Sequence, residues 1–376
     1  MKRKIIIPVI FILIIVTVLI LFLNKEKVNT ITIGAAMPLS GDGAIYGVPQ
    51  RNAAELAIEE INAKGGLLGQ KVILDAQDDQ ANPTLAVNVA RYFVSNKNVV
   101  GVIGFPNSGN AIAAAKIFNE NNMPYVASSP TNPILTQLGY KNVFRFAPTD
   151  DMQGISDAEF IHNKLGINHL VILNDNQAYG NGLATQVKNH FEKLGGKILL
   201  FDNIVAAQKD YRNILTKVKT LKPKVVFFGG MLEEGAKLVK QAEEIGLKTN
   251  FVFGDGCFDE KFKELSGTDC KNVFISFLAP PWDEIPTAKQ FVEKYKSKYG
   301  HDVPPFAPYG YDAIFVLSEA IEKSKSMNKG EIINQLRQNN FKTDGITGII
   351  EFDENGQSLK KAFYFYGFKE NFLKLY

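Results

Sequence analysis

Cysteine is nearly absent from this 376-residue chain, which holds only Cys257 and Cys270, and histidine is almost as sparse, with His162, His169, His190 and His301. No histidine stands at ligand spacing from either cysteine, which removes the zinc sites built from such sets. There is no G-x-S-x-G elbow, no H-E-x-x-H and no Cys/His pair close in sequence, so the usual hydrolase and thiol-enzyme signatures are missing. That argues against an enzyme without excluding catalytic partners remote in sequence, and no catalytic residue, metal or cofactor is expected. An excess of one charge is lacking too. Of the 42 basic residues three are Lys2, Arg3 and Lys4, and the remaining 39 face 39 acidic residues. A neutral body offers no basic face to nucleic acid. Sequence repeats of fixed period and low-complexity segments are also missing.

What is present begins at the N-terminus, where those three basic residues precede an uncharged apolar run from Ile5 to Leu23. The run is long enough to span a bilayer. It ends without the small residues of a signal-peptidase site and without a cysteine to take lipid, so it reads as one N-terminal hydrophobic helix that anchors the chain in the membrane. Cleavage as a signal is the alternative. Either way the basic flank stays inside and the rest is extracytoplasmic. On an exported chain, Cys257 and Cys270 are expected to form a disulfide, worth about 3 kcal/mol for a short loop on the chain-entropy model.

After the polar linker Asn24 to Thr30, β-rich apolar runs alternate with amphipathic helical patterns. Strands are expected at Ile31–Ala36, Lys71–Asp75, Val99–Ile103, Tyr125–Ala127, His169–Leu173, Lys197–Phe201 and Val225–Phe228. Helices fall between them, for example Gly47–Ala63, Asn110–Asn121, Gln153–Lys164 and Gly182–Leu194. That alternation predicts an α/β architecture of doubly wound parallel sheets. The length exceeds that of most single cores, so two lobes are expected.

One motif imitates a dinucleotide site: Gly180-Asn-Gly182 opens a helix after a strand, and Asp202 follows at a fitting distance. The imitation fails because Asn174 to Tyr179 separates strand from glycines and Thr185 occupies the third glycine position. More informative are two polar turns that follow strands. Phe105-Pro-Asn-Ser108-Gly-Asn110 leads into a helix N-terminus, which suits a carboxylate, although Ser108 also serves as an ordinary cap. Ala127-Ser-Ser-Pro-Thr-Asn-Pro133 offers further hydroxyls at the carboxyl end of a parallel sheet, where ligands of such sheets bind.

With these turns stand Pro38-Leu-Ser-Gly41, Tyr46-Gly47, Ile61-Asn-Ala-Lys-Gly-Gly-Leu-Leu-Gly69, Leu135-Thr136, Phe144-Arg145, Gln153-Gly154, Gln177-Ala-Tyr-Gly-Asn-Gly-Leu-Ala184, Asp210-Tyr211 and Gly229-Gly230. In this order they resemble the leucine/isoleucine/valine-binding proteins of ABC transporters, with the type I periplasmic binding fold. The resemblance implies two lobes joined by a three-crossing hinge, with crossings near Pro148, Phe277 and Asn328. Residues 1–29 would then be anchor or signal plus linker, 30–148 and 278–328 one lobe, and 149–277 and 329–376 the other.

The resemblance also implies site residues. Ser108 and Ser129 correspond to positions that hold a ligand carboxylate, and Thr131 and Asp255 to positions that bind its ammonium group. Tyr46 and Tyr179 line the cleft from opposite lobes, and Met231 stands where the branched-chain binders carry a tyrosine. Each has an ordinary structural role as competitor: Tyr179 as core, Thr131 as a turn cap, Asp255 as an acceptor of backbone hydrogen bonds. The function implied is capture of an amino acid, branched-chain-like or related, by a monomer that delivers it to ABC transporter permease subunits. A ligand-sensing module of a receptor is the second reading, and an enzyme on the same fold the third.

Overall fold

The run from Ile31 to Met37 is buried at every residue, as a strand with helices on both faces requires, and it forms β1 (Thr30–Met37). In the computed structural model, which describes residues 30–359, 362–368 and 372–374, there follow α1 (Ala44–Ala63), β2 (Lys71–Asp78), α2 (Pro83–Ser95), β3 (Val99–Gly104), α3 (Ser108–Glu120), β4 (Tyr125–Ala127), α4 (Ile134–Gln137) and β5 (Val143–Arg145). The five strands make one parallel sheet of order β2-β1-β3-β4-β5. Local chemistry sets the helix starts. Asn82, for instance, accepts from the N–H groups of Thr84 and Leu85, with Pro83 in the first turn of α2. Helices press close on both faces: a Cβ at Gly34 would come within 2.8 Å of the Phe93 ring, and one at Gly101 within 2.8 Å of Leu317.

The second series runs α5 (Asp150–Glu159), β6 (His169–Asn174), α6 (Ala178–Lys193), β7 (Lys197–Asn203), α7 (Arg212–Thr220), β8 (Val225–Gly229), α8 (Leu232–Glu244), β9 (Asn250–Phe253), α9 (Phe262–Ser266) and β10 (Val273–Phe277). These strands form a parallel sheet of order β10-β9-β8-β6-β7. The helix expected over Gln153–Lys164 is α-helical only to Glu159 and then makes a π turn, Phe160–Lys164. The chain next gives α10 (Lys289–Tyr299) and α11 (Ala307–Ser324), which lies along α1 in the first lobe. Then come α12 (Lys329–Leu336) and the hairpin β11 (Thr343–Gly345) and β12 (Gly348–Ile350). Finally β13 (Tyr364–Phe368) and β14 (Phe372–Lys374) extend the second sheet in antiparallel fashion beyond β10.

The chain therefore passes between lobes after β5 and again after β10. The third passage departs from expectation. It comes between Ser358 and Tyr364, not near Asn328, because residues 329–358 are tied to the first lobe. Arg337 donates to the carbonyls of Lys141 (2.8 Å) and Tyr140 (3.0 Å), and the N–H groups of Ile346 and Thr347 bond to Asp312 on α11, each at 2.8 Å. Arg145 exchanges backbone bonds with Gly356 and Ser358. Only then does Phe365 return to stack on Phe160 in the second lobe, with ring centroids 4.0 Å apart.

The disulfide expected between Cys257 and Cys270 is not formed; both thiols are free and buried. Cys257 follows the carboxyl end of β9 and Cys270 precedes β10, and in a parallel pair those two points lie at opposite ends of the strands. Cys257 Sγ faces the carbonyls of Gly230 and Met231, at 3.5 and 3.4 Å, whereas Cys270 Sγ lies 3.1 Å from the Ser266 hydroxyl. The apolar run Ile5 to Leu23 lies outside the described residues. Among those described, no helix is long and apolar enough to cross a membrane.

Candidate functional site

Parallel strands deliver the loops that follow them to one edge of their sheet, and here loops from the carboxyl edges of both sheets line one cleft. Between them lies a narrow cavity of about 40 Å³, well below the range of about 300–1,000 Å³ for open small-molecule sites. Its walls include Tyr46, Ser108, Ser129, Thr131, Tyr179, Met231 and Asp255, all seven residues singled out in the sequence. The first lobe supplies Tyr46 from the first turn of α1, Ser108 from the start of α3, and Ser129 and Thr131 from the turn after β4. The second supplies Tyr179 from α6, Met231 before α8, and Asp255 directly after β9. An outer hollow shares Tyr46, Ser108, Tyr179 and Met231 and continues the cleft toward its mouth. A larger hollow at the amino ends of β8 and β9, around Lys224 and Asn250, has no such convergence of hydroxyls.

The hydroxyls of the first lobe are oriented by donors behind them. Gln50 donates to Ser129 Oγ at 2.9 Å, and the N–H of Asn132 donates to Ser108 Oγ at 3.3 Å. Each serine is thereby left its own O–H to donate into the cavity. Ser108 opens a 13-residue helix, so the backbone N–H groups of its first turn add partial positive charge there.

In the second lobe the short turn Asp255–Cys257 is gripped by two tyrosines. Tyr179 Oη donates to Asp255 Oδ1 at 2.7 Å and accepts from the N–H of Gly256 at 2.9 Å. Tyr46 Oη, from the other lobe, donates to the carbonyl of Gly256 at 2.7 Å and accepts from the N–H of Leu232 at 3.1 Å. Both phenols are thus occupied by protein, which makes them walls and braces. The turn needs glycine at its centre, because a Cβ at Gly256 would sit 2.6 Å from both the Gly230 carbonyl and the Tyr179 ring.

Asp255 is the one carboxylate in the cavity wall, and no Lys or Arg side chain accompanies it there. Burial lifts its carboxyl to about 6, against hydrogen bonds from Tyr179 and Gln153 that hold it down. Behind it, burial also pushes Asp150 and Asp157 well above the usual carboxylate range. For Asp150 this acts against a hydrogen bond from Thr131. No group of three or more His, Cys, Asp or Glu side chains able to hold a metal occurs among the described residues. Glycines of the rejected nucleotide motif serve packing: a Cβ at Gly180 would stand 2.4 Å from the Gly229 carbonyl on β8.

Sequence reading missed Pro106, Asn107, Gly256 and Phe306, which also line the cavity. Pro106 and Asn107 stand beside Ser108 in the turn already singled out. Phe306 comes from the stretch that returns after the second passage between lobes, and nothing local in the sequence marks it.

Residues 30–372 match the family described as periplasmic binding protein. The leucine-, isoleucine-, valine-, threonine- and alanine-binding protein of Pseudomonas aeruginosa is 32% identical over 328 residues, 87% of each chain. A Leu/Ile/Val-binding protein homolog of Brucella abortus is 30% identical over 327 residues, again 87% of each. Among solved structures, a leucine-binding protein of Thermotoga maritima superposes with a TM-score of 0.85 at 30% identity, covering 92% of this chain and 98% of that one. The substrate-binding protein of a branched-chain amino acid transporter from Streptococcus pneumoniae, in complex with isoleucine, gives 0.83 at 27% identity, covering 92% and 99%.

Proposed function

The chain belongs to the periplasmic binding protein family, and on that footing we propose that it captures a neutral α-amino acid in the cleft between its lobes and presents it to the permease of an ABC transporter. The family implies an extracytoplasmic location, and the relatives named above are binding proteins, which makes an enzyme the weaker reading. One observation carries the proposal: the cavity pairs hydroxyl donors and a helix N-terminus on one lobe with a single buried carboxylate on the other. An amino acid zwitterion matches both halves. Its carboxylate takes Ser108, Ser129 and the first turn of α3, and its ammonium group takes Asp255 with Thr131 alongside.

Charge-assisted bonds contribute roughly 1.5–3 kcal/mol each, so a few of them, less the cost of ordering, give micromolar binding near about −8 kcal/mol. Met231, Phe306 and Pro106 leave an apolar remainder for the ligand side chain. With no cation in the wall, an acidic side chain finds no partner there, which favours Leu, Ile, Val, Ala or Thr over Glu or Asp. Because the donors and the carboxylate belong to different lobes, only the closed form makes both sets of contacts, and ligand shifts the protein toward it.

Thermal shift followed by calorimetry against the common amino acids tests this. Neutral amino acids are expected to raise the melting temperature and acidic ones to leave it unchanged. No response to any amino acid, or conversion of the ligand during incubation, would overturn the reading.

A further inference from the structure

We propose that Asn132 is the latch that couples the ligand-binding turn of the first lobe to closure against the second. It lines neither cleft hollow, yet each of its four polar groups is engaged. Its N–H donates to Ser108 Oγ at 3.3 Å, its carbonyl accepts from the Arg145 guanidinium, and its Oδ1 accepts from the N–H of Ile134 at 3.0 Å. Those three bonds hold the residue in the first lobe. The fourth crosses the cleft: Nδ2 donates to the carbonyl of Ala178, the first residue of α6, at 2.7 Å.

The opposite wall is cut to receive it. At Gly182, one turn further along α6, a Cβ would lie 2.6 Å from Asn132 Nδ2, so any larger residue there displaces the amide. Asn132 is 4% exposed, which leaves no room for water to take over the bond. The side chain that spans the lobes therefore belongs to the same residue that orients the Ser108 hydroxyl. Closure fixes that hydroxyl, and a ligand that fixes the hydroxyl favours closure. Asn132 is a positioning residue: it acts through Ser108 and through the lobe contact.

The inference rests on the proposed hinge closure around an amino acid, so its test needs a readout that works without ligand. Spin labels at the exposed positions Lys116 and Lys193 report the distance between lobes in the free protein, and stopped-flow release reports the bound state. Asn132→Asp keeps the Oδ1 acceptor but sets a carboxylate oxygen against the Ala178 carbonyl. Gly182→Ala pushes the latch apart from the other lobe and leaves the backbone bonds of Asn132 to Ser108 and Arg145 in place. Both are expected to widen the distance distribution of the free protein and to raise the ligand off-rate about tenfold, the size of one lost hydrogen bond, with the on-rate unchanged.

If Gly182→Ala matches the parent protein in distance and off-rate, Asn132 acts only within its own lobe and the proposal fails, whatever Asn132→Asp does. If no amino acid binds the parent protein, the functional reading fails, while the distance measurement still decides the latch.

Discussion

Asp255→Asn separates binding from stability in a way that a purely structural residue cannot imitate. Burial raises the Asp255 carboxyl from 3.8 to about 6. The folded protein therefore holds this proton more tightly than the unfolded chain does, and ionising the group costs stability as the pH rises from about 4 through 6. Two pKa units correspond to about 3 kcal/mol, fully felt at neutral pH. A bound ammonium group offsets this cost. Asparagine removes it permanently while keeping an acceptor for the Tyr179 hydroxyl, now 2.7 Å from Oδ1. Allowing about 1 kcal/mol for a weaker bond to the tyrosine, the ligand-free variant should gain about 2 kcal/mol at pH 7.5. In a chain of this size that is a rise of about 3 °C in melting temperature. Amino acid affinity should fall by about 2–5 kcal/mol, the range for removing one member of a buried charged pair. Scanning calorimetry of the free variant and titration calorimetry with the best ligand measure the two arms. A variant that melts lower and binds with full affinity would refute both the electrostatic account and the assignment of the ammonium group to Asp255.

The same carboxyl sets a pH dependence: binding needs the ionised form, so affinity should climb by up to about tenfold per pH unit below 6 and level off above 7. A flat titration between pH 5 and 7 would exclude a titrating partner. Arg145→Ala strips donors from the Asn132 carbonyl, the Thr136 hydroxyl and the Gln357 amide oxygen, and should cost about 3–5 kcal/mol in urea unfolding. A loss below 1 kcal/mol would show that these groups find other partners. Both cysteines should alkylate in denaturant without prior reduction and resist alkylation in the native protein, as read by intact mass. A mass two hydrogens short would restore the disulfide.

Much of the fold was legible because it is written in periodicity. Strands such as Tyr125–Ala127 and His169–Asn174 are short apolar runs between helical patterns, and their order alone implies parallel sheets. The site was legible where a polar turn follows a strand, as at Ser108 and Ser129, since parallel topology sends every such turn to the same edge, whereas Asp255 was singled out only through the family resemblance. Chain spacing determined nothing about partners remote in sequence. Cys257 and Cys270 look like neighbours in sequence, but a parallel strand pair holds them at opposite ends. The stretch after Asn328 has no local sign of its lobe, which is decided by acceptors and donors on Arg337, Asp312 and Arg145. Likewise only tertiary structure brings the Tyr46 hydroxyl to Gly256 and the Asn132 amide to Ala178. The sequence thus determined which segments become strands, helices and cleft-facing turns, because those follow from local pattern. Tertiary structure decided which lobe owns the returning segment, where the thiols lie and which groups meet across the cleft, because those depend on burial that no local pattern encodes.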